Sequence, residues 1–329
     1  MHALLLLSPE SLHSAYTAAV QAKIRAHASS LSVICPSDTW KAHLAELKQA
    51  DVIFSGWGAP LMDREFLAAA PALRAVFYAG GTVRDFVTEA FWERGIRLTT
   101  AQAINAIPVS EFAVAALTLG LKRVWHYANV TRQTRDFPSE RPMPGAYGST
   151  VGLVSYGIIA RMTRQRLRQL EVKVIVYDPF LSDHDAAREG VRKVQLDELF
   201  QQSDAVSVHT PKLPETRRLI KGRHVAALRQ GSFFLNTARG EVLDEQEIAA
   251  VLGERPDIQA MLDVTSPEPP LADSPLYSLP NVFLTPHIAG SVGAECERMG
   301  LAMVEEFDRF RAGDPLRWEI SAEAAERLA

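Results

Sequence analysis

Cysteine is scarce in this chain of 329 residues: only Cys35 and Cys296 occur, far apart in the sequence. Two distant thiols provide neither a disulfide framework nor a thiolate zinc site, so the expected setting is a reducing cytoplasm with no bound metal. An excess of one charge is also missing. Lys and Arg number 35 against 39 Asp and Glu, for a net charge of −4, and no basic block accompanies them. Neither nucleic acid nor an anionic membrane surface is therefore an expected partner. The N-terminus, MHALLLLSPE, has a short apolar run with no basic flank and reads as a buried first strand rather than a signal peptide. No run reads as long enough to span a membrane, and neither short-period repeats nor low-complexity tracts occur.

What is present is the composition of a soluble globular protein, 47% hydrophobic and 22% charged, with length for two cores. From residue 1 to about 100, strand-like stretches alternate with helical ones: 3–7, LSVIC from Leu31, DVIFSG from Asp51, LRAVFYAG from Leu73 and IRLTT from Ile96. That order predicts a parallel sheet wrapped by helices. A helix is expected over 107–125, IPVSEFAVAALTLGLKRVW, apolar on nearly every face until Lys122. Burial from several directions, by the other domain or a second subunit, would explain it, and a homodimer is expected. Residues 126–149 are polar and proline-bearing, and read as a functional or interface loop. The alternation resumes at Thr150 with KVIVYD, VRKVQ, AVSVHT, GSFFLN, IQAMLD and VFLTP, and ends in an amphipathic helix over 293–312 and a solvated tail helix over 321–329. The expected fold class is α/β, with two Rossmann-like, doubly wound parallel-sheet domains and a cleft between them.

Residues 150–178, TVGLVSYGIIARMTRQRLRQLEVKVIVYD, have the layout of strand, tight turn, helix and strand. Against G-x-G-x-x-G the turn reads Ser155-Tyr156-Gly157-Ile158-Ile159-Ala160, so only the middle glycine, which lets backbone approach phosphate, is kept. Ala160 suits the helix-packing position. Ser155 does not suit the first, and a positive φ there would cost about 1 kcal/mol or more. Asp178 ends the second strand, where an acid accepts ribose hydroxyls. The turn alone leaves a nucleotide site and an ordinary strand–turn–helix both open, and S-adenosylmethionine enzymes use a related turn.

Ligands of open α/β sheets bind outside the carboxyl ends of the strands. Three reactive side chains stand there: Arg239 past GSFFLN, Glu268 past IQAMLD and His287 past VFLTP. Each alone has an ordinary structural explanation; three at successive strand ends beside a nucleotide-type turn point to a site. In the first half, the glycine-bearing loops 55–58, with Trp57, and 79–82, with Ala79, Gly80 and Gly81, fit either tight turns or backbone opened to a small anion.

The stretches VGLVSYGIIA, VYDPF, VSVHTPKLPETRRLI, FLNTARGEVLD and LDVTSPEPPLADSPLYSLPNVFLTPHIAGS, and more loosely AGGTVRDF and SEFAVAALTLGLKR, resemble the D-2-hydroxyacid dehydrogenase family. The resemblance implies an NAD-dependent 2-hydroxyacid dehydrogenase or 2-ketoacid reductase. It implies that Arg239 holds the substrate, Glu268 pairs with His287, and His287 is the acid/base. It further implies cofactor contacts along 155–159 and from Asp178, His209, Thr210, Thr237, Ala238, Asp263 and Gly290, with Trp57 and 79–81 on the substrate side. The implied layout is a discontinuous substrate domain, 1–101 with 290–329, and an inserted NAD domain, 102–289. A guanidinium fork suits the carboxylate and carbonyl of a 2-keto acid, and a carboxylate beside His287 favours the imidazolium that protonates the ketone oxygen. Asp178 favours NAD over NADP by repelling a 2′-phosphate. The sequence departs from the family pattern at Ser155, at Ile158 where an arginine is common, and at Thr265 and Ser266 before the glutamate. The rival reading is a dinucleotide-sensing, corepressor-like protein on the same scaffold.

Overall fold

The structure, a computed structural model, describes residues 1–327. The chain divides into two compact units, 1–105 with 291–329 and 106–290.

The first unit holds a five-stranded sheet built from β1 (His2–Leu6), β2 (Ser30–Ile34), β3 (Val52–Ser55), β4 (Ala75–Tyr78) and β5 (Arg97–Thr100), in the order β2-β1-β3-β4-β5. All pairs are parallel, as the alternation predicted. Side chains alternate between two cores, as the period of a strand requires. Leu5, Phe54 and Phe77 enter one with Val20, Met303 and Phe307; Leu4, Leu6, Ile53 and Val76 enter the other with Leu47, Phe66 and Phe91. The helix Ala294–Ala312 thus completes the N-terminal sheet from the far end of the sequence.

The second unit holds β6 (Thr150–Val154), β7 (Lys173–Tyr177), β8 (Arg192–Lys193), β9 (Ala205–Val208), β10 (Phe233–Asn236), β11 (Gln259–Leu262) and β12 (Val282–Leu284). Their order is β12-β11-β10-β9-β6-β7-β8, again all parallel. The chain runs outward from β6 in one direction and returns to β9 on its other side. The ends of β6 and β9 are therefore the topological switch point, where such sheets take ligands.

Four expectations are corrected. The long apolar helix runs over Gln102–Leu121, starting earlier than expected and passing through Pro108. It stops because Arg123 adopts φ +49, while that residue's buried guanidinium donates to the carbonyls of Pro142 and Asp257. Residues expected to be loop from 126 onward instead form a second helix, Val124–Thr134, leaving 135–149 as the irregular arm. By length and composition the 20-residue helix Gln102–Leu121 could cross a membrane, contrary to the reading that no run is long enough; half of its most apolar stretch is buried within the protein. The tail is not merely solvated: Ala325 joins a core cluster, although residues 328 and 329 lie outside the described residues.

Candidate active site

Parallel strands β6, β9, β10, β11 and β12 are neighbours, so their carboxyl ends share one edge of the sheet. The turn after β6 carries the predicted strain: Ser155 has φ +68. Its N–H donates to the Tyr177 carbonyl at 2.7 Å, extending the β6–β7 ladder, and its hydroxyl lies 2.9 Å from that of Thr210, past β9. The serine thus joins three strand ends at the switch point. Next, the Tyr156 N–H donates to Asp178 Oδ2 at 2.7 Å. Oδ1 of Asp178 accepts from the N–H groups of Phe180 at 2.7 Å and Leu181 at 3.1 Å. The carboxylate is fixed by three backbone donors. Gly157 caps the helix Ile158–Leu167, and no neighbouring atom lies within 4 Å of where a Cβ on it would stand. Open space over the N–H groups of a helix start suits a phosphate. Ile158 supplies no charge there, and Arg161 is committed to Glu189 and to the face of Tyr156, 4.8 Å from its ring centre.

Past β9, His209 is 9% exposed and neither ring nitrogen has a partner in the protein. Burial lowers its pKa to about 4, so the ring is neutral near pH 7. Thr237 Oγ1, past β10, is likewise buried without a partner. Orphaned buried polar atoms each cost about 1–3 kcal/mol, which bonding to a ligand would recover. With the open helix start and the fixed Asp178, these groups fit a dinucleotide.

Past β10, Asn236 shapes the loop: its Oδ1 accepts from the Ala238 N–H at 3.0 Å and its Nδ2 donates to the Arg239 carbonyl at 3.1 Å. Arg239 is half-buried, and its guanidinium donates to the Ala238 carbonyl at 2.6 Å. A Cβ on the next residue, Gly240, would stand 2.1 Å from the Thr265 carbonyl carbon. Only glycine allows the arginine loop to lie on the backbone that leads to Glu268.

Past β11, Asp263 is buried and both carboxylate oxygens are engaged. Oδ1 accepts from Thr285 Oγ1 at 2.6 Å and the Ile288 N–H at 2.9 Å, and Oδ2 from the Ala289 N–H at 2.9 Å. Its carbonyl accepts from the His287 N–H at 2.9 Å. The observed work of Asp263 is to shape the loop past β12, in which His287 takes φ +54. His287 Nδ1 then lies 2.8 Å from Glu268 Oε1, and both side chains are a little under half exposed. Sequence reasoning passed over Gly240, the Asn236 side chain and Glu245. Glu245 Oε1 accepts from the Ser266 N–H at 2.7 Å, and burial pushes its carboxyl up to about 7, opposed by that N–H and assisted by Glu241. A glycine directly after Arg239 was the one legible signal among these.

The structure therefore joins two of the three expected catalytic residues directly and sets the loop of the third against theirs. Trp57, Ala79, Gly80 and Gly81 lie at the ends of β3 and β4 in the N-terminal unit. Gly290 is the last residue of the second unit. No cluster of three or more metal-ligating side chains occurs among the described residues.

Residues 115–289 match the NAD-binding domain of D-isomer specific 2-hydroxyacid dehydrogenases. The chain belongs to that family. Its members are NAD-dependent oxidoreductases acting on the CH–OH group of 2-hydroxy acids. The chain is 36% identical over 250 residues to (S)-sulfolactate dehydrogenase of Chromohalobacter salexigens, covering 75% of this chain and 81% of that one. It is 32% identical over 271 residues to D-3-phosphoglycerate dehydrogenase of Mycobacterium tuberculosis, covering 82% of this chain but only 51% of that one. The chain thus spans about half the length of that relative. D-mandelate dehydrogenase of Rhodotorula graminis shares the fold, with a TM-score of 0.79 and 24% identity over 97% of each chain.

Proposed function

We propose that this dehydrogenase interconverts a small 2-keto acid and its 2-hydroxy acid, with His287 as the acid/base, Glu268 orienting it and Arg239 binding the substrate carboxylate and carbonyl. The observation that carries the reading is the 2.8 Å contact between His287 Nδ1 and Glu268 Oε1. With Nδ1 committed to the carboxylate, Nε2 is the atom that gives its proton to the ketone oxygen in reduction and takes it back in oxidation. Bound NAD(H) supplies or accepts the hydride at the neighbouring carbon. The N–H groups over 157–159 receive the pyrophosphate, Asp178 the ribose hydroxyls, and His209, Thr210, Thr237 and Ala238 line the nicotinamide side. Asp263 serves that side by holding the loop 285–289.

The test is oxidation of NADH with glyoxylate, hydroxypyruvate, pyruvate and bulkier 2-keto acids. Turnover that falls by about a hundredfold or more in His287→Ala, with NADH affinity kept, supports the assignment. Tight NADH binding with no turnover on any acid would replace it with the sensor reading. We further infer a homodimer through the second unit, where Leu119, Val124, Phe137 and Tyr147 are 43, 39, 73 and 82% exposed. Light scattering that returns a monomer at micromolar concentration would remove this inference.

A further inference from the structure

The stretch past β11 that carries Glu268, residues 266–271, reads Ser-Pro-Glu-Pro-Pro-Leu, and 266–269 are exposed. Beneath it is a hollow of about 290 Å³, lined by Glu245, Ala249, Pro267, Leu271 and Leu276 among others. Little packing holds the stretch, so its hydrogen bonds decide where Glu268 stands. Three of its residues are prolines, which have no N–H to give. Among the described residues, the one backbone N–H that ties the stretch to another element is that of Ser266, which donates to Glu245 Oε1 at 2.7 Å. Two carbonyls add to this: that of Pro267 accepts from Thr265 Oγ1 at 2.8 Å, and that of Pro270 from the Tyr277 hydroxyl at 3.1 Å.

Glu245 stands on a held element. It is the first residue of the helix Glu245–Glu254, whose cap, Asp244, accepts from the Glu247 N–H at 3.4 Å and from the Arg218 guanidinium at 2.9 Å. That helix follows closely on the turn Gly240–Val242, which begins at Arg239. A Cβ on Gly240 would come within 2.5 Å of the Ser266 nitrogen, so the same peptide meets both the arginine loop and the Glu245 carboxylate. Between Ser266 and Glu268 there is only Pro267, whose ring fixes φ and whose carbonyl Thr265 holds, so a shift at Ser266 is passed on to the glutamate. Glu268 Oε1 in turn lies 2.8 Å from His287 Nδ1, a contact that a displacement of about 1 Å would break.

We propose that Glu245 is a positioning residue for the reaction: its carboxylate holds the Ser266 peptide and thereby sets Glu268 against His287. The inference rests on the roles given to Glu268 and His287 under Proposed function. The experiment measures NADH oxidation with glyoxylate, hydroxypyruvate and pyruvate at pH 8, where Glu245, pushed up to about 7 by burial, is ionised. It compares the wild type with Glu245→Ala, Glu245→Gln, Glu268→Ala and the double variant Glu245→Ala/Glu268→Ala, with thermal melts to check folding and fluorescence titration for NADH affinity. Glu245→Ala should lower kcat by about tenfold or more with the Kd for NADH unchanged, because a misplaced catalytic group costs rate rather than cofactor binding. Glu245→Gln, which keeps an acceptor for the Ser266 N–H, should stay within about threefold of the wild type. Without Glu268 nothing is left to position, so adding Glu245→Ala to Glu268→Ala should change kcat by less than about twofold. An equal loss in both backgrounds, a loss that Gln does not relieve, or wild-type kcat in a folded Glu245→Ala overturns this inference and leaves the dehydrogenase reading standing. A Glu268→Ala variant as fast as the wild type overturns the role of Glu268 and this inference with it, and no turnover of any acid by the wild type overturns the dehydrogenase reading as well. If Glu245→Ala does not fold, Glu245→Leu, which keeps bulk over the hollow without an acceptor, carries the same comparison.

Discussion

Replacing Glu245 by Gln should make the protein more stable above neutral pH and leave it unchanged in mild acid. The carboxyl sits beside the loop that leads to Glu268, and burial raises its pKa from an ordinary 4.5 to about 7. The groups facing it are the Ser266 N–H, which favours the carboxylate, and Glu241, which disfavours it and is itself paired with Lys212. An acid whose folded pKa is raised contributes stability that is fully present below about 4.5 and is lost as pH rises through about 7. At roughly 1.4 kcal/mol per pH unit the full difference is about 3 kcal/mol, and solvent screening of a partly exposed side chain reduces it to about 1–2 kcal/mol. Gln keeps an acceptor for the Ser266 N–H and removes the titration. Urea unfolding of wild type and Glu245→Gln at pH 5, 7 and 9 should show the variant ahead by about 1–2 kcal/mol at pH 9 and level at pH 5. His209, pushed down to about 4, acts in the opposite sense: its stability is present above about 6.5 and lost as pH falls. It is common to both proteins and cancels in the difference. A gap between wild type and variant that is the same at pH 5 and pH 9 would refute the titration.

Three further outcomes follow from the site. Glu268→Gln keeps an acceptor near His287 Nδ1 but removes the charge, so kcat should fall by about ten- to a hundredfold with NADH affinity unchanged in fluorescence titration. Gly240→Ala drives a Cβ into the Thr265 backbone, 2.1 Å away, and should destabilise by about 2 kcal/mol or more in urea. Asp178→Ala removes the acceptor of three backbone N–H groups and should weaken NADH binding by about tenfold or more, without making NADPH a good substrate, since no arginine is gained there.

The sheets were legible because their strands are short, β-branched or aromatic runs, and a parallel sheet buried on both faces leaves such runs uninterrupted. Alternation then set the order of elements, and the position of each reactive residue just past a strand placed it on the ligand edge. The helix boundaries were less legible. Nothing in KRVWH announces that Arg123 will turn to φ +49 and break one apolar helix into two, because the carbonyls of Pro142 and Asp257 that hold its guanidinium come from distant sequence. The same holds for Asp263. Its place after a strand suggests a ligand contact, whereas its three donors, Thr285, Ile288 and Ala289, show it engaged in loop construction. A sequence reveals that an acid stands at a strand end, not which lone pairs the next loop has already taken.

Ser155 shows how a local misfit becomes informative. A serine at φ +68 costs about 1 kcal/mol or more, and glycine would remove that cost. Sites that break local preference are where function, not stability, sets the residue. Here the hydroxyl reaches Thr210 across the switch point, at 2.9 Å, and glycine could not supply that link. A hydrogen bond of this kind is worth about 0.5–1.5 kcal/mol, close to the strain it offsets, so Ser155→Gly should leave global stability nearly unchanged. The difference should appear in the cofactor site instead, because the turn would lose its tie to the loop of His209 and Thr210. An altered Kd for NADH in Ser155→Gly with an unaltered melting temperature is the expected signature. A stabilised variant with unchanged NADH affinity would show that the serine carries strain without using it.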